Sequence, residues 1–487
     1  MMTPSSSPGA PSRKIIVLGA GISGLTCAYR LHQAGIDVEV LDREAAPGGV
    51  MQTRAVDGFL TEGGPNSFQS GEEVLSLIHD VGLDGELLEA DAQMPRYIYF
   101  RGQLHRAPMG PGALIFTKLL SAGAKLKLVR EPWAPSNPDG HEESIREFVT
   151  RRLGGELHDV MLAPLVSGIY AGDTAKLSMQ SVFPLLVELE TKYGGLLKGF
   201  MRHMKAERKK REAEGRAKTR RTLCSFKNGL KTFPVKIAGQ LGGRVHLNCE
   251  VRAVRANPGG GFTLEVQENG AMQEYRSDRL VLATPVFETA EHLKNLAVSL
   301  SAHPWPKTLS VEFTQAATDL ASIELPPLAG VCLAWKKSDV PHNLNGFGFL
   351  IPRTEGIRLL GCIWSSSLYP HRAPDGWTLL TNFIGGATDP EIISLSEGQL
   401  VDAVRNDLQT ILGMSAAPRV VTVNRYDHAI PQYNLGHKAR IDAARHAVGQ
   451  IPGLYLAGNY LSGVSVGDCI KQAHETVKQI LSADEHG

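Results

Sequence analysis

Between Lys14 and Asp42 the chain reads KIIVLGAGISGLTCAYRLHQAGIDVEVLD, with glycines at 19, 21 and 24 between an apolar run and a helix-period segment. That spacing is suited to holding a pyrophosphate. Gly19 permits a tight turn after a first strand, and Gly21 brings bare backbone N–H groups to a helix N-terminus whose dipole favours anions. Gly24 lets the helix pack closely on the strand, and Ala20 and Ser23 complete the same turn. A second apolar run, 36–41, ends in Asp42, placed to accept hydrogen bonds from ribose hydroxyls, and Arg43 follows it directly. A glycine triplet alone recurs by chance. Strand, glycines, helix, strand and acid in this order make a dinucleotide-binding βαβ unit.

Which dinucleotide is decided downstream. Gly48 and Gly49, with Thr53 four residues on, bring a second stretch of bare backbone to the same place. A simple nicotinamide domain does not require it, whereas many flavoproteins carry it, so the sequence predicts FAD. Near the C-terminus, residues 453–477 read GLYLAGNYLSGVSVGDCIKQAHETV. A short strand at 454–457 runs into glycines and a helix opening near Gly467-Asp468, a second N-terminus with bare donors suited to a flavin or its phosphates. The two segments are expected to fold together, so the FAD domain is discontinuous. No second glycine fingerprint follows a strand, which disfavours a nicotinamide-dependent reductase. No Ser/His/Asp or Cys/His constellation stands out, and no metal site is expected.

The elements that must position these residues are bounded by the whole chain. At 487 residues it has room for two or three domains. With 43% apolar and 21% charged residues and a net charge of +1, it has no global positive field to bind nucleic acid. Six cysteines lie scattered without a CxxC pair, which implies a reducing, cytoplasmic setting without disulfides or zinc. No run approaches the roughly 18 apolar residues of a spanning helix. Residues 1–12, rich in Pro and Ser, read as a disordered tail without the apolar region of a signal peptide.

Along the chain, 71–90 has helical character, 96–100 reads as a strand, and 101–102 as a turn. The pattern from 110 to 200 is mostly helical, with a capping box at Ser144–Glu147. The charged run 202–221 reads as a solvated helix or loop, with a basic patch on anionic lipid as the functional alternative. Residues 245–284 read as a β-meander in which 245–254 is one strand and the glycines 259–261 form a turn. Residues 308–386 read as β-rich, including 378–384, and 395–412 as a helix. The fold expected is α/β, an α+β composite. It has a Rossmann-like FAD-binding domain assembled from separate segments, a β-sheet-based substrate domain and a mostly helical insert.

These pieces resemble the protoporphyrinogen oxidase family of the FAD-dependent, amine-oxidase-like superfamily, from Lys14 onward. The likeness runs through GAGISGL, EGGPNSFQ, SGIYAGD with Leu177-Ser178, FKNGL and VLATP. It continues in GFLIP…SSSLYPHRAP…NFIGG, AIPQYNLGH and GLYLAGNYLSGVSVGDCI. The glycine fingerprint is widely shared; SGIYAGD, IPQYNLGH and EGGPNSF are far more specific. The resemblance implies oxidation of protoporphyrinogen IX to protoporphyrin IX in heme biosynthesis. Six electrons leave in three steps, with O2 as acceptor and hydrogen peroxide as product. Hydride passes from a meso carbon to the flavin N5, so no catalytic side chain is needed.

The same resemblance makes Arg96 the partner of a substrate propionate, a fit for bidentate hydrogen bonding. Leu350, Ile363 and Phe383 would sandwich the macrocycle, Ile363 standing where leucine is common in the family. Asn66 and Gly172 would line the site, the glycine through its carbonyl. For FAD it supports Gly19, Gly21, Gly24, Asp42, Gly48, Gly49 and Thr53, with Val251 at the adenine through its backbone. Gly458, Val464 and Val466 fall in the C-terminal flavin segment, and Cys469 nearby reads as a buried, inert thiol. Apart from the resemblance, Arg96 is a surface arginine and the three apolar residues are core.

The implied division is 13–85, 222–290 and 425–487 for FAD, 86–109 and 291–424 for substrate, and 110–221 for a helical, membrane-associating part. Residues 113–120 are its best candidate lipid contact, with Ile115 and Leu119 the positions to charge in a test, although core packing explains the stretch equally well. Coproporphyrinogen III oxidation is the alternative activity. An amine oxidase or carotenoid desaturase is a more distant one, and a non-catalytic flavin-bound porphyrin carrier a third. A homodimer, product hand-off to a ferrochelatase and a peripheral position on the inner face of the cell membrane stay open.

Overall fold

The strand Ile15–Leu18 consists of four apolar residues, all buried, so it needs cover on both faces. The computed structural model, which describes residues 14–137, 140–213, 222–302 and 305–485, supplies that cover. Ile15–Leu18 is the middle of a five-stranded parallel sheet in the order Val245–His246, Val38–Leu41, Ile15–Leu18, Arg279–Leu282, Leu454–Leu456. In chain order this is third, second, first, fourth, fifth. The direction of winding reverses between Ile15–Leu18 and Arg279–Leu282, and a crevice opens at their carboxyl ends. One face carries the helices Ile22–Gln33 and Val466–Glu485, packed on each other. The other is covered by the antiparallel strands Cys249–Ala256, Phe262–Glu268 and Ala271–Ser277 and by the helices Val286–Ala302, Lys307–Ala321 and His437–Gly449.

A second sheet has seven strands, in the order Arg419–Tyr426, Leu328–Lys336, Trp377–Gly385, Leu359–Ile363, Gly348–Leu350, Arg96–Phe100, Gln103–Arg106. One face packs on the helix Glu397–Leu412 through Leu400, Val404, Leu408 and Leu412, a helical spacing opened by the Ser396–Gln399 capping box. Helical segments lie over part of the opposite face: Ile98 packs with Leu119 and Val160. Those segments include Pro111–Phe116, Ala122–Val129, Ile145–Arg152, Ala163–Tyr170, Pro184–Tyr193 and Leu196–Ala213. Their core joins Phe148, Val166, Tyr170 and Leu177 to Tyr433 from far along the chain. A buried guanidinium, Arg152, is paired with Glu131 at 2.5 Å, and Arg151 bridges Glu143 and Glu190.

Several sequence expectations change. The region expected to be β-rich from 308 opens with the helix Lys307–Ala321, whose buried Leu309, Phe313, Ala316, Ala317 and Leu320 pack toward the Val286–Ala302 helix. The strand expected at 245–254 is two strands in two sheets, divided at Asn248, which takes φ +56°. The helix expected over 71–90 spans Glu72–Asp80, and Leu87–Glu89 is a strand. The charged run is helical to Ala213, while 214–221 and the tail 1–12 lie outside the described residues. Among the described residues no helix is long and apolar enough to cross a membrane.

Candidate functional site

At the crevice, Gly19 takes φ +104°, and a Cβ there would lie 2.7 Å from the Ala283 carbonyl oxygen on the neighbouring strand. A Cβ on Gly24 would stand 2.0 Å from the Gly19 oxygen, so only glycine lets the helix start this close. Beside Gly21 there is open space: nothing lies within 4 Å of a built Cβ. The helix Ile22–Gln33 has no side-chain cap and no acidic residue in its first turn, which leaves its N–H groups to an anion. Asp42 accepts from the Ala20 and Glu44 N–H groups at 2.5 and 2.8 Å, and burial raises its carboxyl pKa against the pull of those donors. Arg43 is ion-paired with Glu288 at 2.9 Å, beside the expected ribose position. Gly48 and Gly49 both have positive φ, and the Gly48 N–H donates to the Ala20 carbonyl at 2.8 Å. The residues present fit a dinucleotide.

One cofactor expectation changes, and one residue's hydroxyl has partners of its own. Thr53 donates to Glu62 at 2.6 Å and accepts from the Lys231 N–H at 3.0 Å, so its hydroxyl proton is spent inside the protein. The C-terminal helix starts at Val466, and its first turn is not bare: Ser465 and Asp468 cap one another. A carboxylate at that N-terminus repels phosphate, so this end suits the neutral ring portion of a flavin. Gly458 at φ +148°, Val464 and the buried Val466 form this segment. Ser23 is buried, and burial pushes the neighbouring Cys469 thiol up to about 11, which keeps it protonated and unreactive. Val251 lies at a bulge in its strand pairing.

The expected substrate residues converge on one face of the seven-stranded sheet. In register, Leu350 stands opposite Gly361, which stands opposite Phe383; two residues along, Arg96 pairs with Gly348, Gly348 with Ile363 and Ile363 with Thr381. Residues two apart share a face, so Arg96, Leu350, Ile363 and Phe383 line one surface with glycine between Leu350 and Phe383. The helix Ala163–Tyr170 meets it edge-on: a Cβ on Gly168 would be 2.6 Å from Leu350 Cδ2. The chain then turns at Ala171, φ +49°, and places the buried Gly172 close by. Arg96 is exposed, its guanidinium 5.3 Å over the Phe347 ring, and no ion pair among the described residues engages it.

Asn66 lines a small cavity with Glu62, Ile363, Ser365, Tyr369 and Arg372. Beneath it lies a network the sequence did not reveal. Arg372 pairs with Glu62 at 2.6 Å and donates to Ser225, while the Leu230 N–H donates to the same carboxylate. Both charged residues sit inside conspicuous motifs, but their pairing across the chain leaves no signal in a single sequence. Gly168, Gln432 and Tyr433 were likewise visible only as motif letters.

A family model described as flavin containing amine oxidoreductase matches residues 22–481. The chain is 35% identical to the chloroplastic protoporphyrinogen oxidase of Oryza sativa subsp. japonica, over 97% of this chain and 90% of the relative. The chain belongs to the protoporphyrinogen oxidase family of flavin-containing amine oxidoreductases. Within that family it is also 30% identical to the coproporphyrinogen III oxidase of Bacillus subtilis, over 96% and 98% of the two chains. The crystal structure of a candidate protoporphyrinogen oxidase from Exiguobacterium sp. 255-15 superposes with a TM-score of 0.77 at 26% identity, covering 97% and 99%. Family membership makes the protein a flavin-dependent oxidoreductase, which is the chemistry the glycine-lined crevice fits.

Proposed function

We propose that this chain oxidises protoporphyrinogen IX to protoporphyrin IX with bound FAD. The observation that carries the reading is the apolar face formed by Leu350, Ile363 and Phe383, with Arg96 at its edge in no ion pair among the described residues. A flat macrocycle with propionates at its rim has that pattern of needs: two apolar faces and a guanidinium. Three hydrides and three protons leave the substrate, and three molecules of O2 accept them as hydrogen peroxide. Bound FAD supplies the two-electron acceptor chemistry. In this reading Gly19, Ala20, Gly21, Ser23 and Gly24 hold its pyrophosphate, Asp42 its ribose and Val251 its adenine. Gly458, Val464 and Val466 face its ring system. The segments 13–85, 222–290 and 425–487 are then the FAD domain.

Full-length likeness to a coproporphyrinogen III oxidase favours a second reading, in which a four-propionate substrate is taken instead. Porphyrin fluorescence over time, with flavin-loaded protein and either porphyrinogen in air, decides between them. Faster turnover of protoporphyrinogen IX upholds the first reading, and faster turnover of coproporphyrinogen III replaces it with the second. Oxidation of neither, with flavin retained, overturns both.

The helical part also supports a peripheral lipid contact, in a different form from the one expected. Ile115 is 58% exposed, but Leu119 is 1% exposed and packed beneath Ile98. Exposed apolar residues recur instead at Phe116, Leu126, Val129, Trp133, Leu197, Phe200, Met201 and Met204.

A further inference from the structure

The segment IPQYNLGH is absorbed neither by the cofactor crevice nor by the apolar substrate face, yet it touches the loops that serve both. Gln432, 2% exposed, donates through Nε2 to the Tyr170 carbonyl at 2.9 Å, the last turn of the helix before Gly172. Its Oε1 is buried without a partner among the described residues, and a Cβ built on Gly172 would lie 2.5 Å from it. The carboxamide is therefore pressed under Gly172. Ala171, in the left-handed region, is held from the other side by the Ala387 N–H on its carbonyl at 2.7 Å.

The next residue reaches the other loop. The Tyr433 hydroxyl donates to the Asn459 carbonyl and accepts from the Gly463 N–H at 2.7 Å, spanning the segment between Gly458 and Val464. Burial holds this phenol well above its usual pKa, so it stays protonated and keeps its donor. Its ring stacks on His437 at 4.1 Å and 13°, and meets Tyr170 edge-on at 5.9 Å. Its carbonyl accepts from the Ser178 N–H at 2.8 Å, and Leu435 donates to Lys176, so the same strut also grips the far end of the Gly172 loop.

We propose that Gln432 and Tyr433 act as a paired positioning element that sets the Gly172 loop, 171–178, against the flavin loop, 459–463. It rests on the porphyrinogen-oxidase reading of those two loops. Hydride transfer needs the reacting atoms about 3–3.5 Å apart, and displacement by about 1 Å costs on the order of a hundredfold in rate. Neither side chain is a catalytic residue; each acts through the loop it holds.

The test is anaerobic stopped-flow reduction of the bound flavin by saturating protoporphyrinogen IX, with dithionite reduction as a second reductant. Tyr433→Phe keeps the ring stack and removes both hydroxyl bonds. It is expected to slow flavin reduction by substrate about tenfold or more, with KM within about threefold of the parent, flavin content unchanged and dithionite reduction unchanged. Gln432→Met, which leaves the flavin loop untouched, is expected to slow substrate reduction likewise. The double variant should lose less than the product of the two, because both set one distance. Parent-like reduction in either flavin-loaded variant overturns the proposal, as does equal slowing with both reductants. If Tyr433→Phe loads no flavin, Gln432→Met decides alone. If neither loads, the two residues serve folding and the proposal falls. A parent that oxidises no porphyrinogen overturns the functional reading itself, an outcome distinct from all of these.

Discussion

Arg96 stands at the edge of the apolar face with its charge stacked on Phe347 and engaged by no carboxylate among the described residues. A substrate carboxylate would convert that exposed cation into one half of a charge-assisted bond, worth about 1.5–3 kcal/mol. Arg96→Ala is therefore expected to raise KM by about ten- to a hundredfold, with flavin content unchanged; steady-state kinetics of parent and variant check this, and equal KM values would dismiss the anchor. Arg96→Lys keeps the charge but not the fork and should recover part of the loss. At the other end of the site, Gly24→Ala would place a methyl 2.0 Å from a backbone oxygen that has nowhere to move. Overpacking of this kind costs about 1–3 kcal/mol, and the helix it displaces is the one facing the pyrophosphate. Lower Tm together with a lower flavin-to-protein absorbance ratio is the expected result; loss of one without the other would separate packing from binding. Gly24 and Asp42 were legible because their chemistry is local, a glycine, its neighbours and an acid within one βαβ unit, whereas Arg96 was reached only through the family resemblance.

At the scale of elements, legibility depended on whether the partner was near in sequence. The capping box at Ser144 and the strand Arg96–Phe100 came out as read. The helix Lys307–Ala321 did not, although its buried positions 309, 313, 316, 317 and 320 are helix-spaced; TLSVEF at its start alternates like a strand, and only packing on Val286–Ala302 settles it. The substrate face shows the same limit. Register alone brings Leu350, Gly361 and Phe383 together, and register cannot be read from one sequence. The contact of Gly168 with Leu350 yields a paired expectation. Gly168→Ala should displace Leu350 and lower kcat/KM about tenfold, whereas in a Leu350→Ala background the same methyl has space and should cost little. Additive losses would show that the helix and the sheet face act separately. The Val286–Ala302 helix carries a different consequence. His292 is buried, its Nδ1 without a partner among the described residues, and burial drives its pKa down to about 4 from the ordinary 6.5. As pH falls below about 6.5 the unfolded chain takes up the proton first, so stability is lost between there and about pH 4, by up to about 3 kcal/mol. His292→Phe should flatten the fall of Tm over that window; an unchanged slope would assign the acid sensitivity to other groups.

For the whole molecule, the question is why a protein with no spanning helix among its described residues leaves so much apolar surface bare on one helical part. Phe116 is 85% exposed and Trp133 79%, and the helices Ala122–Val129 and Leu196–Ala213 both pack against the Glu131–Trp133 turn between them. In sequence, the exposed Leu126, Val129, Leu197, Phe200, Met201 and Met204 alternate with Lys125, Lys127, Arg130, Lys198, Arg202 and Lys205. Apolar residues interspersed with basic ones suit a surface that is greasy below and anionic above, and each basic group near such a surface contributes about 1 kcal/mol. A substrate that is itself a large apolar ring would then be met where it partitions, with the Ala163–Tyr170 helix leading from this part to the site. Phe200→Glu combined with Trp133→Glu should abolish co-sedimentation with vesicles containing anionic lipid while leaving turnover of detergent-dispersed porphyrinogen intact. Binding of the parent should also weaken in high salt, because part of it is charge. Equal sedimentation of parent and variant would mean that the bare surface is covered by something other than lipid, and the lipid contact would have to be given up even though the active-site reading stood.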